Sequence, residues 1–181
     1  MMDPQLQRRA AKIRLLLMDV DGVLTNGLIY NVPGPQGDLV ETKGFNSQDG
    51  IALQWLIWND FQTGVISGRE SQALDVRAKQ VGMTYVYQGH IEKVPILEEI
   101  IQRSGFAPEQ IAYAGDDLTD VPILRRAGLA FAPANARPEV KRCVHHVTAA
   151  AGGEGALREI AEILLQAQGH WDGLLKKYEV E

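Results

Sequence analysis

Ile13-Arg14-Leu15-Leu16-Leu17-Met18-Asp19-Val20-Asp21-Gly22-Val23-Leu24-Thr25 decides the reading of this chain. Its first half is nearly continuous in apolar residues. That predicts a strand over 13–20, covered on both faces as in the middle of a parallel sheet. The run stops abruptly at two carboxylates two residues apart. If the extended backbone persists, Asp19 and Asp21 point to one side. Ligands of open parallel sheets gather beyond the carboxyl ends of the strands, so both acids stand where chemistry is expected.

Reading outward, apolar bursts alternate with amphipathic stretches along the whole sequence. Segments 28–32 and 39–42, joined by Pro33-Gly34-Pro35-Gln36-Gly37, predict a β-hairpin. Helical spacing of Ile51, Ala52, Trp55, Leu56 and Trp58 predicts a helix over 48–59. Strands follow at 64–67, 84–87, 111–115, 129–132 and 144–148. Helices are expected over 70–81, stopped by Gly82, over 92–103, stopped near Gly105, and over 120–127, stopped at Gly128. A last helix spans 155–167 and ends at Gly169, leaving a tail over 168–181. The alternation predicts a single α/β domain over 1–181: a three-layer α/β/α, Rossmann-like arrangement with a parallel sheet, a hairpin insertion at 28–42 and no large cap domain.

Composition narrows the function classes. The chain has 181 residues, 45% of them hydrophobic, with a formal net charge of −5. That balance argues against nucleic acid or an acidic membrane surface as partner. One cysteine, Cys143, excludes an internal disulfide and a cysteine zinc site, and it fits a packing thiol in a reducing, cytoplasmic compartment. Residues 1–12 are polar and basic with no long apolar stretch after them, so no secretory leader is expected. The Leu15–Met18 run is too short to span a bilayer.

The remaining chemistry-bearing residues fall at the same rim. Ser67-Gly68-Arg69 follows one strand, Lys93 opens the helix after another, and Gly115-Asp116-Asp117 follows a third. Asp19, Asp21 and Asp116 offer oxygen donors without histidine or cysteine, which suits a hard cation, Mg2+ above all. One carboxylate can attack phosphorus. The other can protonate the leaving alcohol and later deprotonate water. Lys93 would neutralise charge on the transferring group, and the Ser67 hydroxyl with the backbone of the Ser67–Arg69 turn would hold phosphate oxygens. Singly, each piece has a bland reading: Asp-Gly as a turn, Ser67-Gly68 as a helix cap, Lys93 as a solvated lysine, and Asp116, Asp117 and Asp120 as an acidic first helical turn. Their joint order on one rim favours the catalytic reading.

In these pieces the sequence resembles the haloacid dehalogenase superfamily of phosphatases: Asp19-Val20-Asp21-Gly22-Val23-Leu24-Thr25, Ile66-Ser67-Gly68-Arg69, Lys93 and Gly115-Asp116-Asp117-Leu118-Thr119-Asp120. It is further similar to 3-deoxy-D-manno-octulosonate 8-phosphate phosphatases. The matching residues are Ala151-Gly152-Gly153-Glu154-Gly155-Ala156-Leu157-Arg158-Glu159, Ala167-Gln168-Gly169, Phe45-Asn46, Asp49-Gly50, Tyr87-Gln88-Gly89 and the spacing from Arg69 to Arg77. The resemblance implies Asp19 as nucleophile. It implies Asp21 as acid/base and, through its carbonyl, a magnesium ligand. Asp116 would be a further ligand, with Asp117 and Asp120 in support. Ser67 and Lys93 would contact phosphate. Substrate contacts are implied from Asn46, Ser47, Gln48, Asp49, Gly50, Gly68, Arg69 and Arg77. A homotetramer is also implied, in which the hairpin of one subunit helps cover a neighbour's site and the C-terminal tail can close over it.

Gln48 and Gln54 stand where many family members carry arginine, whose charge binds a carboxylate in a way glutamine cannot. The resemblance therefore leaves an eight-carbon sugar-acid 8-phosphate and a nine-carbon, sialic-acid-type 9-phosphate both open. A phosphotransferase, a phosphoacceptor signalling domain and a non-catalytic oligomerisation module are further readings; the filled catalytic positions and short insertion argue against them. His145 and His146, on opposite faces of a strand, make a poor chelating pair. Trp55 and Trp58 read as core or interface anchors, and Arg125-Arg126 as complementing a helix end.

Overall fold

The structure is a computed structural model and describes residues 2–180. Six strands form one sheet: β1 (Leu15–Met18), β4 (Gln62–Ile66), β5 (Tyr85–Tyr87), β6 (Ile111–Ala114), β7 (Leu129–Ala132) and β8 (His146–Val147). They lie in the order β5-β4-β1-β6-β7-β8, and each neighbouring pair is parallel. β1 is central, with Leu15 to Met18 wholly buried.

Successive side chains of a strand face opposite ways, and two core layers result. Leu16, Met18, Ala112, Ala114, Leu129 and Phe131 pack on one side, against α1 (Pro4–Ala10), α2 (Ser47–Trp58), α3 (Gln72–Val81), α7 (Ala156–Ala167) and α8 (Trp171–Lys177). Leu15, Leu17, Tyr113, Ala130 and Ala132 pack on the other, against α4 (Val94–Ser104), α5 (Val121–Leu124) and α6 (Pro138–Lys141). This is the expected three-layer α/β/α arrangement. β2 (Tyr30–Pro33) and β3 (Leu39–Thr42) form a separate antiparallel ribbon with β2 exposed throughout. No helix is long and apolar enough to cross a membrane among the described residues.

Several boundaries differ from expectation. β1 ends at Met18, because the chain after Asp19 closes into a wide turn, Val20–Leu24, with the Thr25 amide donating to the Val20 carbonyl at 2.9 Å. The helix expected over 120–127 shrinks to a tight turn, Leu118–Asp120, and the four-residue α5. Three helices arise where the sequence suggests none: α1, the four-residue α6 and α8. α1 begins at Asp3-Pro4, where the Asp3 carboxylate caps the Gln5 and Leu6 amides. α8 occupies the expected tail and buries Leu174.

Candidate active site

The carboxyl ends of β1, β4 and β6, together with the approach to α4, bound a cleft of about 290 Å³. Asp19, Asp21, Ser67, Gly68, Arg69, Lys93, Asp116 and Asp117 line it, joined by Ile91 and Thr119. Thus every rim side chain the sequence singles out except Asp120 is on its wall, and Asp120 is held against Lys93 and the Asp116 amide.

Lys93 is 4% exposed. Its Nζ lies 2.9 Å from Asp19 Oδ1 and 2.7 Å from Asp120 Oδ1. A buried ammonium is costly unless paired, so the solvated reading of Lys93 does not hold. Burial pulls its pKa down, but the charges of Asp19 and Asp120 more than offset this and the net shift is upward. Tyr113, which sequence reasoning missed, donates to the same Asp120 oxygen at 2.8 Å. Burial, reinforced by the Asp120 charge, holds its phenol well above the usual range. Asp120 Oδ2 accepts from the Asp116 and Asp117 amides at 3.0 and 3.2 Å. Asp120 is therefore saturated: it fixes Lys93 and the Asp116 backbone from below. Asp117 caps the Leu118 amide at 2.7 Å.

Asp19, Asp116 and Asp120 each bring an oxygen within 4.8 Å of the others. Burial, then the charge of a neighbouring carboxylate, raises Asp19 to about 6 and Asp116 to about 7. Among the described residues, Asp116 Oδ1 is buried without a hydrogen-bond partner. Crowded, oxygen-only carboxylates with an unpartnered oxygen among them fit a hard divalent cation, and Asp19 and Asp116 are the side chains placed to hold it. Gly22 makes the crowding possible. Its φ is +90°, and a Cβ there would lie 2.1 Å from Asp116 Oδ2.

The Asp21 carboxylate lines the same cleft as Asp19 but is outside that trio. The wide turn rotates it toward Lys43, whose Nζ sits 2.6 Å from Asp21 Oδ1. Lys43 is a second residue the sequence did not reveal, since a single lysine after a hairpin has no diagnostic spacing. A third is Asn135, which donates to the Gly22 carbonyl at 2.9 Å and accepts from the Gly152 amide at 2.7 Å.

Ser67 is 2% exposed, and its Oγ accepts from the Arg69 amide at 3.1 Å. Among the other expected substrate contacts, the start of α2 forms a unit outside the cleft wall. Asn46 caps the Gln48 and Asp49 amides. Arg77 donates to the Asn46 carbonyl at 2.9 Å and lies across Gly50 and the Phe45 ring. Ser47 and Gln48 are exposed. Asp49 is fully buried and accepts the Arg158 amide at 2.8 Å. Its carboxylate serves the N-terminus of α7, which corrects the expectation of direct substrate contact. Gln54 donates to the Gln80 carbonyl at 3.3 Å, also away from the cleft.

Comparison with known proteins agrees with this geometry. A family described as haloacid dehalogenase-like hydrolase matches residues 58–160. The 3-deoxy-D-manno-octulosonate 8-phosphate phosphatase KdsC of Yersinia pestis is 43% identical over 166 residues, covering 92% of this chain and 87% of the relative. The crystal structure of the corresponding phosphatase from Moraxella catarrhalis, in complex with a magnesium ion, a phosphate ion and a KDO molecule, superposes with a TM-score of 0.91 at 33% identity, covering 98% of this chain and 99% of that one. The cobalt-bound phosphatase from Haemophilus influenzae superposes with a TM-score of 0.82 at 37% identity, covering 89% and 92%. The chain belongs to the haloacid dehalogenase-like hydrolases, in the family of the 3-deoxy-D-manno-octulosonate 8-phosphate phosphatases.

Proposed function

We propose that this protein hydrolyses 3-deoxy-D-manno-octulosonate 8-phosphate to the free sugar acid and phosphate, with Mg2+ as cofactor, through an aspartyl-phosphate on Asp19. The observation that carries the reading is the buried Lys93, 2.9 Å from Asp19, beside the crowded Asp19 and Asp116 carboxylates, of which Asp116 Oδ1 has no hydrogen-bond partner among the described residues. When bound, the cation offsets the negative charge of the carboxylates and of the phosphate.

The steps follow from the residues. An Asp19 carboxylate oxygen attacks phosphorus, and the bond from phosphorus to the sugar oxygen breaks. The electron pair goes to that oxygen, which takes a proton from Asp21. Water then attacks the aspartyl-phosphate and gives its proton back to Asp21. The bond between phosphorus and Asp19 breaks, and the pair returns to the Asp19 carboxylate. Lys93 and the Ser67 hydroxyl stabilise the phosphoryl oxygens throughout. The Ser67–Arg69 turn supports binding of the phosphate, and Arg69 that of the sugar acid.

A homotetramer built through the β2–β3 ribbon, in a cytoplasmic setting that supplies lipopolysaccharide synthesis, completes the proposal. The exposed ribbon supports the assembly. An isolated two-stranded ribbon is marginal in water, and Leu28, Ile29, Tyr30, Val32, Leu39 and Val40 are all exposed large hydrophobics.

Phosphate release with magnesium, compared between the eight-carbon 8-phosphate and nine-carbon sialic-acid-type 9-phosphates, tests the reading. Strong preference for the eight-carbon substrate is expected, with turnover abolished in a folded Asp19→Asn variant. Preference for the nine-carbon substrate would overturn the assigned sugar, and turnover in Asp19→Asn would overturn the nucleophile.

A further inference from the structure

We propose that Lys43 is the positioning residue for Asp21, which makes the base of the β2–β3 ribbon part of the reaction centre; the proposal rests on the phosphatase reading given above. The Lys43 side chain is 1% exposed, and its Nζ lies 2.6 Å from Asp21 Oδ1 and 3.1 Å from Glu41 Oε1. Glu41 Oε2 in turn holds Arg69 Nη2 at 2.5 Å, and Arg69 Nε stands 3.9 Å from Asp21 Oδ2. Asp21, Lys43, Glu41 and Arg69 thus form a ring in which two carboxyl groups alternate with two cations, with Asp21 and Arg69 on the cleft wall.

Three features give this ring a task. Asp21 sits in a turn whose backbone is not helical at that position, so no regular element fixes its side chain. Among the described residues, Lys43 makes the hydrogen bond to its carboxylate. An ammonium can only donate. Oδ1 is therefore committed as an acceptor, and the proton that Asp21 delivers to the leaving oxygen, and later takes from water, is carried on Oδ2. Lys43 chooses which oxygen works as well as where it stands. Glu41 and Lys43 both come from the exit of the ribbon, two residues apart and on one face. That links the ribbon's placement to the acid/base group without any contact between ribbon and substrate.

The test compares leaving groups in the full-length enzyme with magnesium. A sugar alkoxide must be protonated as it leaves, whereas p-nitrophenolate is a weak base and leaves without help. With the sugar 8-phosphate, Lys43→Met is expected to lower kcat about 100-fold, the scale of loss from misplacing a reacting group by about 1 Å, with little change in KM. With p-nitrophenyl phosphate, the first turnover stays near the wild-type rate and later ones slow, since water activation also needs Asp21. The result is a burst of nitrophenolate equal to the enzyme concentration. Lys43→Gln, which keeps a donor to Oδ1, recovers part of kcat. It also supplies the same two-substrate comparison should the methionine variant fail to fold. Equal loss on both substrates without a burst, or an unchanged kcat, would overturn the positioning role. A wild-type enzyme inert on both substrates would overturn the phosphatase reading, and the role of Lys43 with it.

Discussion

At the scale of single residues, the site is a problem of charge. Asp19 and Asp116 are raised to about 6 and about 7 by burial and by neighbouring carboxylates. In the metal-free protein, the folded state then keeps protons that the unfolded chain has already released. The stability these two groups contribute is complete below about pH 4 and is lost as pH rises through about 6 to 7. The expected outcome is that the Tm difference between Asp116→Asn and wild type, measured in chelator, grows in favour of the variant over that window. Magnesium should reverse it for wild type alone, with affinity rising over the same window as protons are displaced. A difference that does not change with pH would show that the pair is not strained. Lys93 was open to prediction because its family of motifs repeats along the rim. Lys43 was not, because its partner Asp21 lies 22 residues away and only the fold joins them.

At the scale of elements, the catalytic turn is held by backbone packed on backbone. The Ala151–Gly155 loop runs directly beneath it, and a Cβ at Gly152 would lie 1.8 Å from the Gly22 carbonyl oxygen. Neither partner is a flexible side chain that can yield. Gly152→Ala should therefore destabilise by about 1–3 kcal/mol, as overpacking does, and lower kcat/KM by displacing the Asp21–Gly22 backbone. Thermal unfolding with steady-state kinetics checks both, and an unaffected kcat/KM would separate this loop from the chemistry. Asp49 belongs to the same scale. Its position in the α2 sequence reads as a substrate contact, but its carboxylate binds the α7 N-terminus, a partner 109 residues away. The glycines at 82 and 105 end α3 and α4 where expected. α1 escaped notice although Asp3-Pro4 is a legitimate start signal, since one buried pair, Leu6 and Ala10, is too sparse for a helical period.

At the scale of the whole molecule, the ribbon and the C-terminal helix are the parts with most left to do. Tyr178 accepts the Trp55 Nε1 hydrogen bond at 3.1 Å, and the Trp171 and Trp55 rings meet edge-on with centroids 6.0 Å apart. These contacts seat α8 on α2, and Lys177 covers Trp58 at 4.1 Å. The described tail is thus engaged with the flank of its own subunit. The ribbon is anchored only near its exit, through Glu41 and Lys43, and its apolar side chains stay uncovered among the described residues: Leu39 is 72% exposed. In the proposed tetramer, Leu39→Asp buries a charge at the interface and should shift the mass toward smaller species in light scattering, with activity falling alongside. A variant that keeps the wild-type mass would exclude Leu39 from the contact.

Sequence by itself determined the succession of strands, the longer helices between them, the three-layer class and the identity of the rim acids. Those features are local: an apolar run that stops at Asp19, a serine-glycine turn, an acidic turn at Asp116. It could not determine which oxygens face which partners. Asp21 turning to Lys43, Asp49 capping α7, Lys93 reaching Asp120, and Asn135 clamping Gly22 all join residues far apart in the chain. Each is fixed by the demand that a buried polar group find a partner, and only the packed tertiary structure decides which partner is within reach.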